Sequence, residues 1–155
     1  MIHHALIRPL RWLRRFRKRR GYGIHSPFAF HFVTGVIYEK GEFYAYAPLH
    51  EKRRQLKIAS REKDDRLLFR IANFHQPQTL LAVGKGEAFD MACEYMTTAH
   101  QCTIIKSHNP ATVAATEADL IYLHADLDTL QVEQLLNSAH DRLLVIVKQP
   151  HATTH

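Results

Sequence analysis

Apolar residues follow two different periods along this chain, and the change falls just after Gln76-Pro77. Before it they recur at helical spacing. Pro9 suits the first turn of a helix, where its missing N–H would be unpaired anyway. Leu10, Leu13 and Phe16 then fall three apart, with Trp12 beside them, which predicts a short helix stopped by Gly21 and Gly23. A segment of about 12 residues is marginal alone in water. The like charges at Arg11/Arg15 and Arg14/Lys18 also repel, so this helix needs a surface to lie on. Ser26-Pro27 reads as a second helix start, serine as N-cap and proline at the first helical position. Phe28, Phe30, Phe32, Val33, Val36 and Ile37 make the stretch from about 27 to 39 apolar around much of its circumference, which predicts a helix buried on more than one side. Between 40 and 60 the pattern is open: 41–46 reads as an aromatic loop that packs, and 48–56 as a short basic helix. A further helix is predicted over about 62–74, with Leu67, Leu68, Ile71 and Phe74 as its apolar stripe.

Beyond residue 77 the apolar runs shorten to strand length, at 79–83, 102–105, 120–123 and 143–147. Helical or helix-compatible stretches at 87–98, 110–116 and 128–139 separate them. Strands alternating with helices predict an α/β fold, with right-handed crossovers and a parallel sheet covered by helices on both faces. No apolar run approaches the roughly 20 residues of a membrane-spanning helix.

The length of 155 residues allows one domain plus an extension, and 46% hydrophobic residues suffice for a core. Charge changes the picture more. Residues 1–20 contain eight Lys/Arg and no acid. Residues 1–60 hold 13 Lys/Arg against three acids, net +10, while 61–155 hold 8 against 12, net −4. The chain is thus a mildly acidic domain carrying a basic arm, and the division expected is 1–60 and 61–155. Such an arm, over residues 8–20, docks on its own domain or meets an anionic partner, either nucleic acid or a membrane surface. Cys93 and Cys102, nine apart, fit neither a zinc site nor a disulfide framework, and two reduced thiols suggest a cytoplasmic protein.

The strongest local chemical signal is the run from Leu80 to Phe89, in which an apolar strand meets Gly84-Lys85-Gly86 and then a helix. Nucleotide cofactors use this arrangement, because glycines admit close approach of the backbone and a helix N-terminus offers free N–H groups. A third glycine is absent, with Ala88 in its place, and a tight turn without a ligand would read the same way. The twelve histidines are dispersed and lack carboxylate partners, which speaks against a metal site.

Gly23-Ile24-His25-Ser26-Pro27-Phe28-Ala29-Phe30, preceded by the Arg-rich arm and followed by Phe43-Tyr44-Ala45-Tyr46, resembles the N-terminal extension of a bacterial family of class I S-adenosylmethionine-dependent methyltransferase-like proteins. In that family a GIHSPF helix and a YYAY stretch precede a Rossmann-like domain. Residues 68–74 and 77–81 fit the helix and first strand that follow, and the resemblance runs from about residue 10 to 151. It implies S-adenosylmethionine as cofactor, with Gly84, Gly86, Ala88, Lys106 and His124 at the cofactor-binding positions. It also implies methyl transfer, for which His124 or His151 would be the candidate base.

The departures from the family pattern all run one way. Ala82 stands where the first strand carries an acid, Lys106 and its neighbours where the second strand ends in one, His124 where the third pattern has aspartate, and Lys148-Gln149 where two acids belong. A carboxylate accepts two ribose hydroxyls at once, and neither an ammonium nor an alkyl group can. These changes imply a degenerate member, with weak or no cofactor binding. The resemblance also implies a seven-stranded sheet ordered 3-2-1-4-5-7-6. The four strands counted here would form a partial, C-terminally short sheet ordered 3-2-1-4. Its fourth strand would be an open edge through which copies could self-associate.

Overall fold

The computed structural model describes residues 25–109, 117–124 and 143–148. The helices predicted at 110–116 and 128–139, the basic arm at 8–20 and His151 lie outside these residues. The chain forms two compact units, Met1–Glu42 and Phe43–His155, so residues 43–60, grouped on sequence with the extension, belong to the α/β unit.

In the first unit, α1 (Pro27–Phe32) begins as the sequence indicates, with the Ser26 hydroxyl accepting from the Ala29 N–H at 3.3 Å. It then widens into a π turn over Val33–Ile37, closed by a bond from the Tyr38 N–H to the Val33 carbonyl at 3.0 Å. The Thr34 hydroxyl donates to the Phe30 carbonyl at 2.8 Å. That bond competes with the regular helix ladder and accounts for the widening. Phe28, Phe30 and Ile37 are exposed and only Val36 is buried, so the burial on several sides that the aromatic spacing predicts is not found.

The second unit starts with α2 (Tyr46–Gln55), in which Pro48 occupies a first-turn position whose N–H has no intrahelical partner. Ala45, Tyr46 and Leu49 pack on Phe69, Met91 and Tyr95. The rings of Phe43, Tyr46 and Phe69 meet at centroid distances of 5.1 to 5.3 Å. Helix α3 (Glu62–His75) places Glu62, Asp64 and Asp65 in its first turn, where acids oppose the positive end of the helix dipole. Its last turn closes on Gln76 in the left-handed conformation. The buried stripe is Leu68, Phe69, Ile71 and Ala72, rotated from the predicted one, and Phe74 is exposed.

Four parallel strands follow: β1 (Thr79–Val83), β2 (Thr103–Ser107), β3 (Leu120–Leu123) and β4 (Leu144–Val147), with α4 (Glu87–Ala99) between β1 and β2. The α/β class and the four parallel strands agree with the sequence reading. The spatial order is β2-β1-β3-β4, which corrects the expected 3-2-1-4. Burial explains the difference. All four residues of β3 are buried, which demands a neighbour on each side, whereas β2 exposes Thr103 and Lys106 and tolerates an outer place. Side chains alternate between two apolar faces. Leu80, Ala82, Leu120 and Tyr122 face α3 and α4 through Leu68, Ala72, Phe89, Cys93 and Met96. Leu81, Val83, Ile121 and Leu123 form the opposite core with Ala118. Parallel sheets are apolar on both faces because crossover segments cover them.

One ionic contact lies inside this packing. Arg53 of α2 pairs with Asp65 of α3, and Arg53 also donates to the Ser60 hydroxyl at 3.1 Å. Removing one member of such a pair leaves a buried charge with no counterpart. Asp65→Ala is therefore expected to lower unfolding stability by about 3–5 kcal/mol in urea titrations, whereas Arg53→Met with Asp65→Leu recovers most of that loss. Equal losses in the single and double variants would show that the charges do not pair.

Candidate functional site

Open α/β sheets bind ligands beyond the carboxyl ends of their strands, so the residues that crown this end define the candidate site. The ladder runs one residue past β1, β3 and β4. Gly84 N–H donates to the Ser107 carbonyl at 3.0 Å, His124 N–H to the Val83 carbonyl at 2.8 Å, and Lys148 N–H to the Leu123 carbonyl at 2.8 Å. Val83 is level with Ser107 and Leu123, and Leu123 with Val147. The next row across the sheet is therefore His108, Gly84, His124 and Lys148. It contains two imidazoles, one ammonium and no carboxylate.

The glycine turn is shaped by its own neighbours. A Cβ on Gly84 would lie 2.7 Å from Phe89 Cδ2 and 3.0 Å from His124 Cβ, so only glycine fits between them. Gly86 has φ +95°, a conformation that residues with a Cβ rarely adopt, and it caps the start of α4. Ala88, the second residue of α4, is half-buried beside Phe89. The rings of Phe89, Tyr122 and His124 lie nearly parallel, with centroids 6.0 to 6.1 Å apart, and join α4 to β3.

The polar side chains on this rim are already engaged, or buried. His108 Nδ1 lies 2.8 Å from the Gly84 carbonyl oxygen. A carbonyl only accepts, so this nitrogen carries the proton. Lys106 Nζ donates to Asp90 Oδ1 on α4 at 2.6 Å and stands 5.9 Å above the Phe89 ring. That hydrogen bond holds the Lys106 ammonium above its ordinary range. His124 is shifted the other way, below its usual value, first by burial and then by the Lys148 charge. Its Nδ1 and the Lys148 Nζ are buried atoms with no hydrogen-bond partner among the described residues.

Of the residues proposed from sequence, Gly84, Lys106 and His124 gather around Phe89, with Gly86 and Ala88 close by in chain on the same turn. His151 lies outside the described residues. Sequence reasoning missed His108 and Asp90, and gave Lys148 no contact. A register argument could have found His108 and Lys148, since each sits one residue past a strand end. Asp65, also missed, falls on the same helical stripe as Leu68, Phe69 and Ala72, and that spacing was its signal. Among the described residues no group of three or more His, Cys, Asp or Glu could hold a metal ion, and no helix is long and apolar enough to cross a membrane.

Neither a family model nor a curated protein matches the chain. Among solved structures, a methyltransferase from Geobacter sulfurreducens resembles it at a TM-score of 0.48 and 14% identity, over 70% of this chain and 72% of that one.

The His124 environment has a consequence for acid stability. Folded His124 resists protonation, so the unfolded chain takes up this proton first as the pH falls. Its contribution is complete above the ordinary value of 6.5 and is lost as the pH drops from there toward the lower folded value. In urea unfolding the parent midpoint should fall more steeply below that pH than the midpoint of His124→Gln. Parallel curves would mean that His124 titrates alike in both states.

Proposed function

We propose that the chain is a class I methyltransferase-like protein that keeps the frame of the cofactor-binding fold and has lost its hold on S-adenosylmethionine. The observation that carries this reading is the rim row His108, Gly84, His124, Lys148, which has no carboxylate. Ribose hydroxyls need an acceptor that takes two donors, and Asp90, near the end of β2, is already bound to Lys106. The cofactor's sulfonium is a cation, and a buried ammonium on the same rim opposes it. Phe89 and His124 pack against Gly84, and the His108 ring takes its carbonyl, at the point where the backbone would face the cofactor. These residues do not fit the adenosyl group.

Strand order supports the family frame. In the seven-stranded order 3-2-1-4-5-7-6, the run 2-1-4-5 has the same neighbours as β2-β1-β3-β4. On this reading β3 and β4 take the fourth and fifth places, and no strand among the described residues stands outside β2. Calorimetric titration of S-adenosylmethionine and S-adenosylhomocysteine into the full chain tests the proposal. It predicts no saturable heat up to about 1 mM ligand, a binding energy no stronger than roughly −4 kcal/mol. Saturation at micromolar ligand would overturn it.

The division of charge favours a second reading, a non-enzymatic module. Here the basic arm at residues 8–20 binds an anionic partner, nucleic acid or a membrane surface, while a second copy pairs at the outer strand β4, whose Val147 is exposed. Phosphate contacts release counterions, so affinity for a nucleic acid should fall steeply with salt. On this reading, removal of residues 1–20 abolishes most of the salt slope measured with a mixed-sequence RNA or DNA. A slope that survives the deletion would exclude the arm as the contact.

A further inference from the structure

The first unit presents a run of apolar side chains at its surface. Across Pro27–Tyr38 the chain has no Lys, Arg, Asp or Glu, and only Val36 is buried. Phe30, Ile37 and Tyr38 are 42%, 43% and 41% exposed. Phe28 stacks on Phe32 with centroids 6.1 Å apart and still shows 60% of its surface. The cause is local. Ser26 and Pro27 start α1, and the Thr34 hydroxyl on the Phe30 carbonyl then opens the π turn. Phe, Val and Ile point to every side of this short element, so a single packed neighbour covers only part of it. Scattered exposed apolar residues are ordinary, but four of them in one uncharged stretch mark a contact surface.

The charge joined to this surface has one sign. Residues 1–38 hold eight Lys/Arg, all within 8–20, and the first acid is Glu39. Glu39 and Glu42 follow Tyr38 with Lys40 between them, at the end away from the arm, and Glu39 accepts from the Gly41 N–H at 2.6 Å. Arg20 and Ser26 are six residues apart, so chain geometry keeps them within about 22 Å. A broad, flat partner therefore reaches both. Within the arm, Leu10, Trp12, Leu13 and Phe16 are interleaved with the basic residues. The partner must accept cations and also take up aliphatic and aromatic side chains. Nucleic acid meets the charge, and its bases stack on aromatic rings, but Leu10, Leu13 and Ile37 have no ring to offer. An anionic bilayer meets both demands. Its headgroup phosphates attract Lys and Arg, its acyl boundary takes Leu, Ile and Phe, and Trp and Tyr settle between the two.

We propose that the N-terminal unit lies on an anionic membrane surface, with Phe30, Ile37 and Tyr38 in the interfacial layer and the arm at residues 8–20 on acidic headgroups. This inference rests on the second reading above, in which the arm has an anionic partner, and it names that partner. An arm that binds RNA with a steep salt slope and ignores lipid would leave that reading standing and end this one. An arm that binds neither would end both.

Trp12 is the single tryptophan, so its emission reports on the arm alone. The test titrates the full chain with vesicles of phosphatidylcholine and phosphatidylglycerol at about seven to three, and with vesicles of phosphatidylcholine only. A saturable blue shift, quenching by brominated acyl chains and co-sedimentation are expected with the mixed vesicles, and none of these with the neutral ones. Arg14→Gln with Arg15→Gln should weaken vesicle binding about 30-fold, near fivefold for each cation, and should weaken binding to a mixed-sequence RNA as well. Phe30→Ser with Ile37→Ser should weaken vesicle binding about tenfold and leave RNA binding unchanged. Both side chains are exposed, so this variant should keep the parent's circular dichroism and Tm. Trp12 emission that neither vesicle moves would place the arm on its own domain and overturn the proposal. Equal binding to neutral vesicles would also overturn it, as would undiminished vesicle binding by the Phe30/Ile37 variant. RNA binding that falls with that variant would make the apolar run a nucleic-acid surface and overturn it too.

Discussion

The parallel ladder that extends one residue past β1, β3 and β4 decides which side chains crown the sheet. The bonds from Gly84, His124 and Lys148 to the strand beside each fix these residues in a level row. A register slip of one residue would turn each of them to the opposite face. Everything chemical about the rim follows from this: the His124 ring beside Phe89 and Tyr122, a glycine enclosed by Phe89 and His124, and His108 turned onto the Gly84 carbonyl. The backbone passes from strand to helix through Gly84 and Gly86, while the row of side chains level with that turn holds no carboxylate.

Packing on the α3 side holds that row in place. Phe89 links α4 to Tyr122 and His124 by ring stacking, and the Phe43, Tyr46 and Phe69 rings lock α2 against α3. Aromatic pairs of this kind contribute roughly 0.5–1.5 kcal/mol each beyond the area they bury. Arg53 and Asp65 tie the same two helices at the site's border. Burial pushes the Asp65 carboxyl up from its ordinary value, while Arg53 and Lys148 draw it back down. Asp65 serves Arg53 with one oxygen, and its other oxygen has no hydrogen-bond partner among the described residues.

Much of the frame was legible in the sequence because its signals are local. The strands at 79–83 and 120–123 and the helix start at Ser26-Pro27 depend on apolar runs and capping residues, and they stand where the pattern puts them. Strand order was not legible, because it depends on which strand can bear solvent. The contrast between Lys106 in β2 and the wholly apolar β3 held that information, but only in comparison. The site was half legible. Gly84, Gly86, Lys106 and His124 follow from the turn and the family pattern. His108, Asp90 and Asp65 act through contacts 12 to 24 residues away, and periodicity along one segment does not carry such contacts.

The proposed loss of the adenosyl site rests on a rim row without an acid. The most direct measurement is the amide spectrum of the 15N-labelled chain with S-adenosylmethionine added to several millimolar. The Gly84, Lys85, Gly86 and His124 amides should stay in place, apart from changes that an equal concentration of chloride reproduces. Saturable movement of the two glycine amides at micromolar cofactor would contradict the claim, since it would place an adenosyl group on a turn that has no carboxylate to hold it.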